Sequence, residues 1–100
     1  MADRETYEYY MREAEEAYRN YEYYQSKAEE AYSNGETYMR SADSHEQYGR
    51  DLDDEIHLRE AREDRDTARM YFSDADSYRD RADEYYDKYQ NYISQADYYA

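Results

Sequence analysis

The sequence predicts an all-α protein, a long antiparallel helical hairpin whose two arms meet along a coiled-coil seam of tyrosine and alanine. Three observations carry this. Apolar residues recur every seven positions, acidic side chains repeatedly stand four residues ahead of basic ones, and there is no proline among the hundred residues.

The first arm covers about residues 4–48. Within it, residues 7–20 and 21–34 are one fourteen-residue unit written twice, YEYYMREAEEAYRN and YEYYQSKAEEAYSN, identical at ten positions. Fourteen residues are two heptads, so the repeat keeps one stripe facing one way. Positions 7, 14, 21, 28, 35, 42 and 49 read Tyr, Ala, Tyr, Ala, Gly, Ala, Gly. The positions three further on, from 10 to 45, read Tyr, Ala, Tyr, Ala, Tyr, His. Tyr and Ala four apart share a helix face. The small residue admits a neighbouring helix, while the ring covers the flank of the seam and its hydroxyl reaches water.

Two places offer a break. Ser33 to Glu36 combines an Asn-Gly stop with a Ser-x-x-Glu start, which gives the alternative of a three-helix arrangement broken at Gly35. Gly49, followed by RDLDDE with Asp51 as N-cap, is the second. The later break is favoured because the heptad stays in phase through Gly35 and Ala42 and on to Leu52 and Ile56. In addition, Tyr is absent from 49 to 70, where thirteen of twenty-two residues are charged. The turn is therefore placed between about 44 and 58, within a charged, Tyr-free tip at about 49–66.

The second arm covers about residues 67–99. Positions 61, 68, 75, 82, 89 and 96 read Ala, Ala, Ala, Ala, Tyr, Ala, and positions 71, 78, 85, 92 and 99 are all Tyr. The phrase Tyr-x-x-x-Ala-[Asp/Glu] begins at Tyr10, Tyr24, Tyr38, Tyr71, Tyr78 and Tyr92. Oriented charge pairs at Glu8/Arg12, Glu15/Arg19, Glu36/Arg40, Glu46/Arg50, Glu55/Arg59 and Glu84/Lys88 add helix support. Repetition at a short fixed period points to an elongated or arrayed structure rather than a globular enzyme.

Composition limits what such a hairpin can bury. The large aliphatics are Leu52, Leu58, Ile56 and Ile93, Phe72 is the sole phenylalanine, and eighteen Tyr supply most of the remaining apolar area. A net charge of −14 disfavours nucleic acid, because phosphate backbones need a basic face. Without cysteine there is no disulfide framework. The longest uncharged run, Tyr89 to Ala96, is too short to span a bilayer. The opening MADRETYEYY lacks the plan of a signal peptide, which places the chain in the cytoplasm by default, or at a surface after non-classical export.

No catalytic arrangement is visible, so the reading is not an enzyme, and no cofactor or metal is expected. Asp54 and His57, three apart, form half of the carboxylate-x-x-His unit of helical di-metal sites. They are the only weak metal candidates, because His45 in DSHEQ supplies no matching unit.

The surplus of tyrosine is the functional signal. Tyr9 and Tyr23 fall opposite the seam of Tyr7 and Tyr21, and Met70 and Tyr98 widen the stripe of the second arm. A two-helix hairpin cannot bury helices that are apolar on more than one face. The expected partner is therefore the protein itself, in a homo-oligomer or filament. The expected contact residues in the first arm are Tyr7, Tyr9, Tyr10, Tyr21, Tyr23 and Tyr24. Those of the second arm are Tyr71, Tyr78, Tyr85, Tyr86, Tyr92, Tyr98 and Tyr99. The alternatives are an acidic module that binds a basic protein by mimicking nucleic-acid charge, and an acidic protein that binds cations or mineral.

Overall fold

The heptads become two helices, α1 (Ala2–Leu52) and α2 (Glu55–Tyr99), joined by a two-residue turn. The structure is a computed structural model and describes residues 2–100. The fold is the antiparallel helical hairpin that the periodicity predicts, and among the described residues there is no strand. The helices form two compact units. One joins the start of α1, up to Ser26, to the end of α2 from Tyr78, and the other spans Lys27–Ser77.

Both units follow the alanine stripe. In the first, Ala14 and Ala17 of α1 and Ala82 and Ala96 of α2 are buried. In the second, the buried set is Ala28, Ala31 and Ala42 of α1 with Ala61, Ala68 and Ala75 of α2. Every alanine of the six Tyr-x-x-x-Ala-[Asp/Glu] phrases is in this core. Among the described residues no larger side chain is fully buried. Each buried methyl contributes only about 0.8 kcal/mol, so the half-buried tyrosines flanking the stripe carry much of the packing. No buried side-chain nitrogen or oxygen among the described residues lacks a partner, which fits rings whose hydroxyls stay at the wet edge.

The three-helix alternative fails at Gly35, where α1 runs on without interruption. Gly35 is there for space. A Cβ at this position would stand 2.6 Å from Cε1 of Phe72 across the seam, closer than van der Waals contact permits. Gly49 does the same for Leu58, whose Cδ2 and Cγ would lie 2.9 Å from an added Cβ. Residues that mark helix ends in an isolated segment here admit bulky neighbours on the facing helix. That packing outweighs the cost of about 1 kcal/mol for glycine within a helix.

The turn lies inside the expected interval, but its chemistry differs from the expectation. α1 ends at Leu52 in a paired-bond cap: the Asp54 N–H donates to the Gly49 carbonyl at 2.8 Å, and the Asp53 N–H to that of Arg50 at 3.4 Å. Asp53 takes the left-handed conformation this cap requires, at φ 51°. Asp54, not Asp51, is the N-cap of α2. Its Oδ1 accepts from the Ile56 N–H at 2.9 Å, and its carbonyl accepts the first bond of α2, from Leu58. Leu52 and Ile56 do not extend the seam; they are exposed beside the turn, because the helices end before another heptad can close over them.

The left-handed cap gives a direct prediction. Asp53→Gly removes the steric cost of a Cβ at positive φ and should stabilise the hairpin by about 0.5–1 kcal/mol. Urea denaturation followed by circular dichroism reads this as a raised midpoint. A lowered midpoint would contradict the cap.

Candidate functional site

The structure divides the tyrosines singled out by the sequence into two kinds. Seam rings face the opposite helix at a repeating offset. In the unit containing both termini of the hairpin, Tyr10 stacks on Tyr99 (5.8 Å, 18°) and Tyr24 on Tyr85 (5.6 Å, 9°). In the Lys27–Ser77 unit, Tyr38 stacks on Tyr71 (5.6 Å, 18°). Tyr10 also meets Tyr92 at 6.4 Å, and Tyr24 meets Tyr78 at 6.2 Å. Tyr21 packs on Tyr86 at 5.1 Å, and Tyr7 is half-buried on the same stripe. Cations cover two of these rings, with Arg81 over Tyr24 and Lys88 over Tyr85.

The second kind faces outward. Tyr9, Tyr23 and Tyr98 are 49%, 55% and 83% exposed. Each stands edge-on against the seam ring that follows it in sequence. Tyr9 meets Tyr10 at 5.3 Å and 69°, Tyr23 meets Tyr24 at 5.2 Å and 81°, and Tyr98 meets Tyr99 at 5.1 Å and 81°. Three of the four Tyr-Tyr doublets are thus one device: the second ring packs in the seam, and the first is propped outward against it, whereas in Tyr85-Tyr86 both rings meet rings of α1. Tyr9 and Tyr23, fourteen residues apart on α1, are separated by about 21 Å along the helix at 1.5 Å per residue. Met70 on α2 is exposed as well.

The outward set is larger than the sequence reading held. Tyr18, Tyr32 and Tyr48 are exposed too, although Tyr18 touches Tyr21 and Tyr89, and Tyr32 touches Phe72. Tyr18 and Tyr89 line a shallow groove of about 310 Å³ with Met11, Ala14 and Ile93, edged by Glu15 and Arg19. Tyr18, Tyr32 and Tyr48 fall between the two heptad series of α1, so a reading confined to seam positions passes over them.

Near the turn, tyrosine gives way to histidine at the same seam positions. Moving fourteen residues along each helix takes Tyr10–Tyr92 to Tyr24–Tyr78, and twenty-one more takes it to His45–His57. The imidazoles stack as the tyrosines do, with centroids 5.3 Å apart and planes 22° from parallel. Their Nδ1 atoms are 3.1 Å apart. Glu60 Oε2 lies 3.2 Å from His45 Nδ1 and 3.6 Å from His57 Nδ1. Tyr48 packs edge-on against His57 at 4.7 Å.

His45 therefore does have a counterpart, across the seam. Asp54, the other metal candidate from the sequence, is occupied with capping α2. His45, His57 and Glu60 are the only such group among the described residues that could hold a metal ion. The signal was present in the sequence: stepping back by heptads from Tyr71 reaches Asp64 and then His57. Pairing His57 with His45 required the register.

Beside this cluster, ion pairs tie the helices together. Arg65 of α2 reaches Glu46 and Asp43 of α1, and Arg50 joins Glu46. Ser41 donates to Asp64 Oδ2 at 2.7 Å. Among the described residues no helix is long and apolar enough to cross a membrane. No protein-family model, curated protein or solved structure matches the chain.

Proposed function

We propose that the hairpin is a structural unit that assembles with copies of itself, into a homo-oligomer or filament, through its outward tyrosines. One observation carries the reading: the buried core is alanine, while the large apolar side chains lie at the seam edge or on the outside. A hairpin with so thin a core gains most by covering its outer rings, and the available anchors are aromatic. Tyr is enriched where contacts between proteins are strongest, because it brings large area at small entropic cost. The repeated Tyr-Tyr device supports the reading further, since edge-on packing against the seam holds each outward ring in place before contact.

Outward rings on one copy and the shallow groove of Met11, Tyr18, Tyr89 and Ile93 on another form a head-to-tail pair of surfaces. Contacts of that kind extend into fibres unless the rotation closes a ring. The test is sedimentation mass with negative-stain microscopy of the purified chain. Large particles or filaments support assembly. A clean monomer that binds a basic protein would replace this reading with the acidic binding module.

Charge sets the conditions. At −14 per chain, copies repel one another, so assembly should strengthen as sodium chloride is raised from low to moderate concentration. Light scattering across a salt series checks this. Dissolution by added salt would mean that ionic contacts, rather than tyrosine packing, hold the copies together.

A further inference from the structure

We infer that His45, His57 and Glu60 form a binding site for a divalent transition-metal ion of the Zn2+ class, clamping α1 to α2 beside the turn. This goes beyond self-assembly and does not depend on it.

The geometry points to a metal rather than a hydrogen-bonded cluster. Three atoms able to donate a lone pair converge: His45 Nδ1, His57 Nδ1 and Glu60 Oε2, with mutual distances of 3.1, 3.2 and 3.6 Å. Zn2+ binds imidazole nitrogen and carboxylate oxygen at about 2.0–2.2 Å, and tetrahedral angles then set the ligand atoms about 3.3–3.5 Å apart. The three observed distances lie within about 0.2 Å of the edges of one face of that tetrahedron, a gap that small side-chain shifts close on binding. A single shared proton satisfies one pair of these atoms. A cation seated just off this face, toward a water at the fourth corner, satisfies all three.

The surroundings fit the same chemistry. Coordination through Nδ1 leaves the ring proton on Nε2, and both Nε2 atoms face carboxylates. His57 Nε2 is 3.7 Å from Asp54 Oδ2, and His45 Nε2 is 3.9 Å from Asp64 Oδ2. Both carboxylates are themselves held, Asp64 by the Ser41 hydroxyl and Asp54 by the Ile56 N–H. At these distances the carboxylates lie just beyond hydrogen-bond reach and act through their charge, which favours a cation on the rings and the neutral Nε2–H tautomer once Nδ1 is coordinated. The ligand set also selects the ion. Two imidazoles suit Zn2+, Ni2+, Co2+ or Cu2+, whereas Ca2+ and Mg2+ prefer sites made wholly of oxygen.

The test is titration of the full chain with Zn2+ alone at neutral pH, by calorimetry, with excess Ca2+ present to occupy diffuse carboxylate sites. The expected result is one ion per chain. His45→Ala and His57→Ala should each weaken binding about a hundredfold, and Asp64→Asn, behind the ligands, about tenfold. Independently of any variant, the two histidines of the parent chain report by NMR. One equivalent of Zn2+ should move both imidazole signals together, with coordination at Nδ1. Three results would overturn the site: no saturable binding, displacement of Zn2+ by Ca2+, or an unchanged affinity in the variant lacking both histidines.

Discussion

Replacing Tyr24 with alanine should destabilise the hairpin by about 3.5 kcal/mol, the largest loss expected from a single tyrosine. Tyr24 meets two rings of the opposite helix, stacking on Tyr85 and tilting against Tyr78. It also props Tyr23 and lies beneath the Arg81 guanidinium. Aromatic pairs contribute about 0.5–1.5 kcal/mol each beyond area. Half-burial of a ring of about 200 Å² adds roughly 2.5 kcal/mol at 25 cal/mol per Å². Because the ring is half-buried, the total falls at the low end of the range for aromatic-to-alanine changes. Urea denaturation by circular dichroism, at a concentration where parent and variant are both monomeric, measures the loss. Tyr24→Phe keeps the ring and should cost under about 1 kcal/mol. A Tyr24→Ala loss no greater than that would mean that the alanine stripe alone holds the arms together.

The double change Tyr9→Ser with Tyr23→Ser should leave helicity nearly unchanged and abolish association. Both rings are about half exposed, and each stands edge-on against its seam neighbour. Losing them removes two aromatic anchors from each contact between copies. Anchors of this kind typically account for 2 kcal/mol or more each, so loss of both corresponds to about a thousandfold weaker association. Sedimentation of parent and variant at one protein concentration decides the matter. If the variant assembled as well as the parent, the outward rings would be surface decoration, and self-assembly would lose its main support.

The fold was legible because its causes are local. The heptad of Tyr and Ala, the absence of proline and the oriented charges each act within a few residues, and all specify helix. The turn was legible only as an interval. Asp53 accepts a left-handed conformation without being glycine, and Gly35 and Gly49, the residues that read as stops, are held within the helix by Phe72 and Leu58. A glycine is ambiguous in sequence because the same missing Cβ serves a turn or a close approach.

The tyrosine surface was half legible. Opposed helix faces separate Tyr9 and Tyr23 from the seam, yet the edge-on support each receives from its neighbour is a matter of rotamers, which spacing does not encode.

By itself, then, the sequence determined two helices and the stripe on which they meet. Tertiary structure decided the register. A seven-residue repeat is degenerate: sliding one arm by a heptad would still set Tyr and Ala against Tyr and Ala. That degeneracy is broken only by features that do not repeat, namely the Asp53–Asp54 turn, the fit of Phe72 on Gly35 and the fit of Leu58 on Gly49. The same register brings His45 onto His57 and Glu60, residues twelve and fifteen positions away in the chain, whose meeting depends on where the other arm comes to rest.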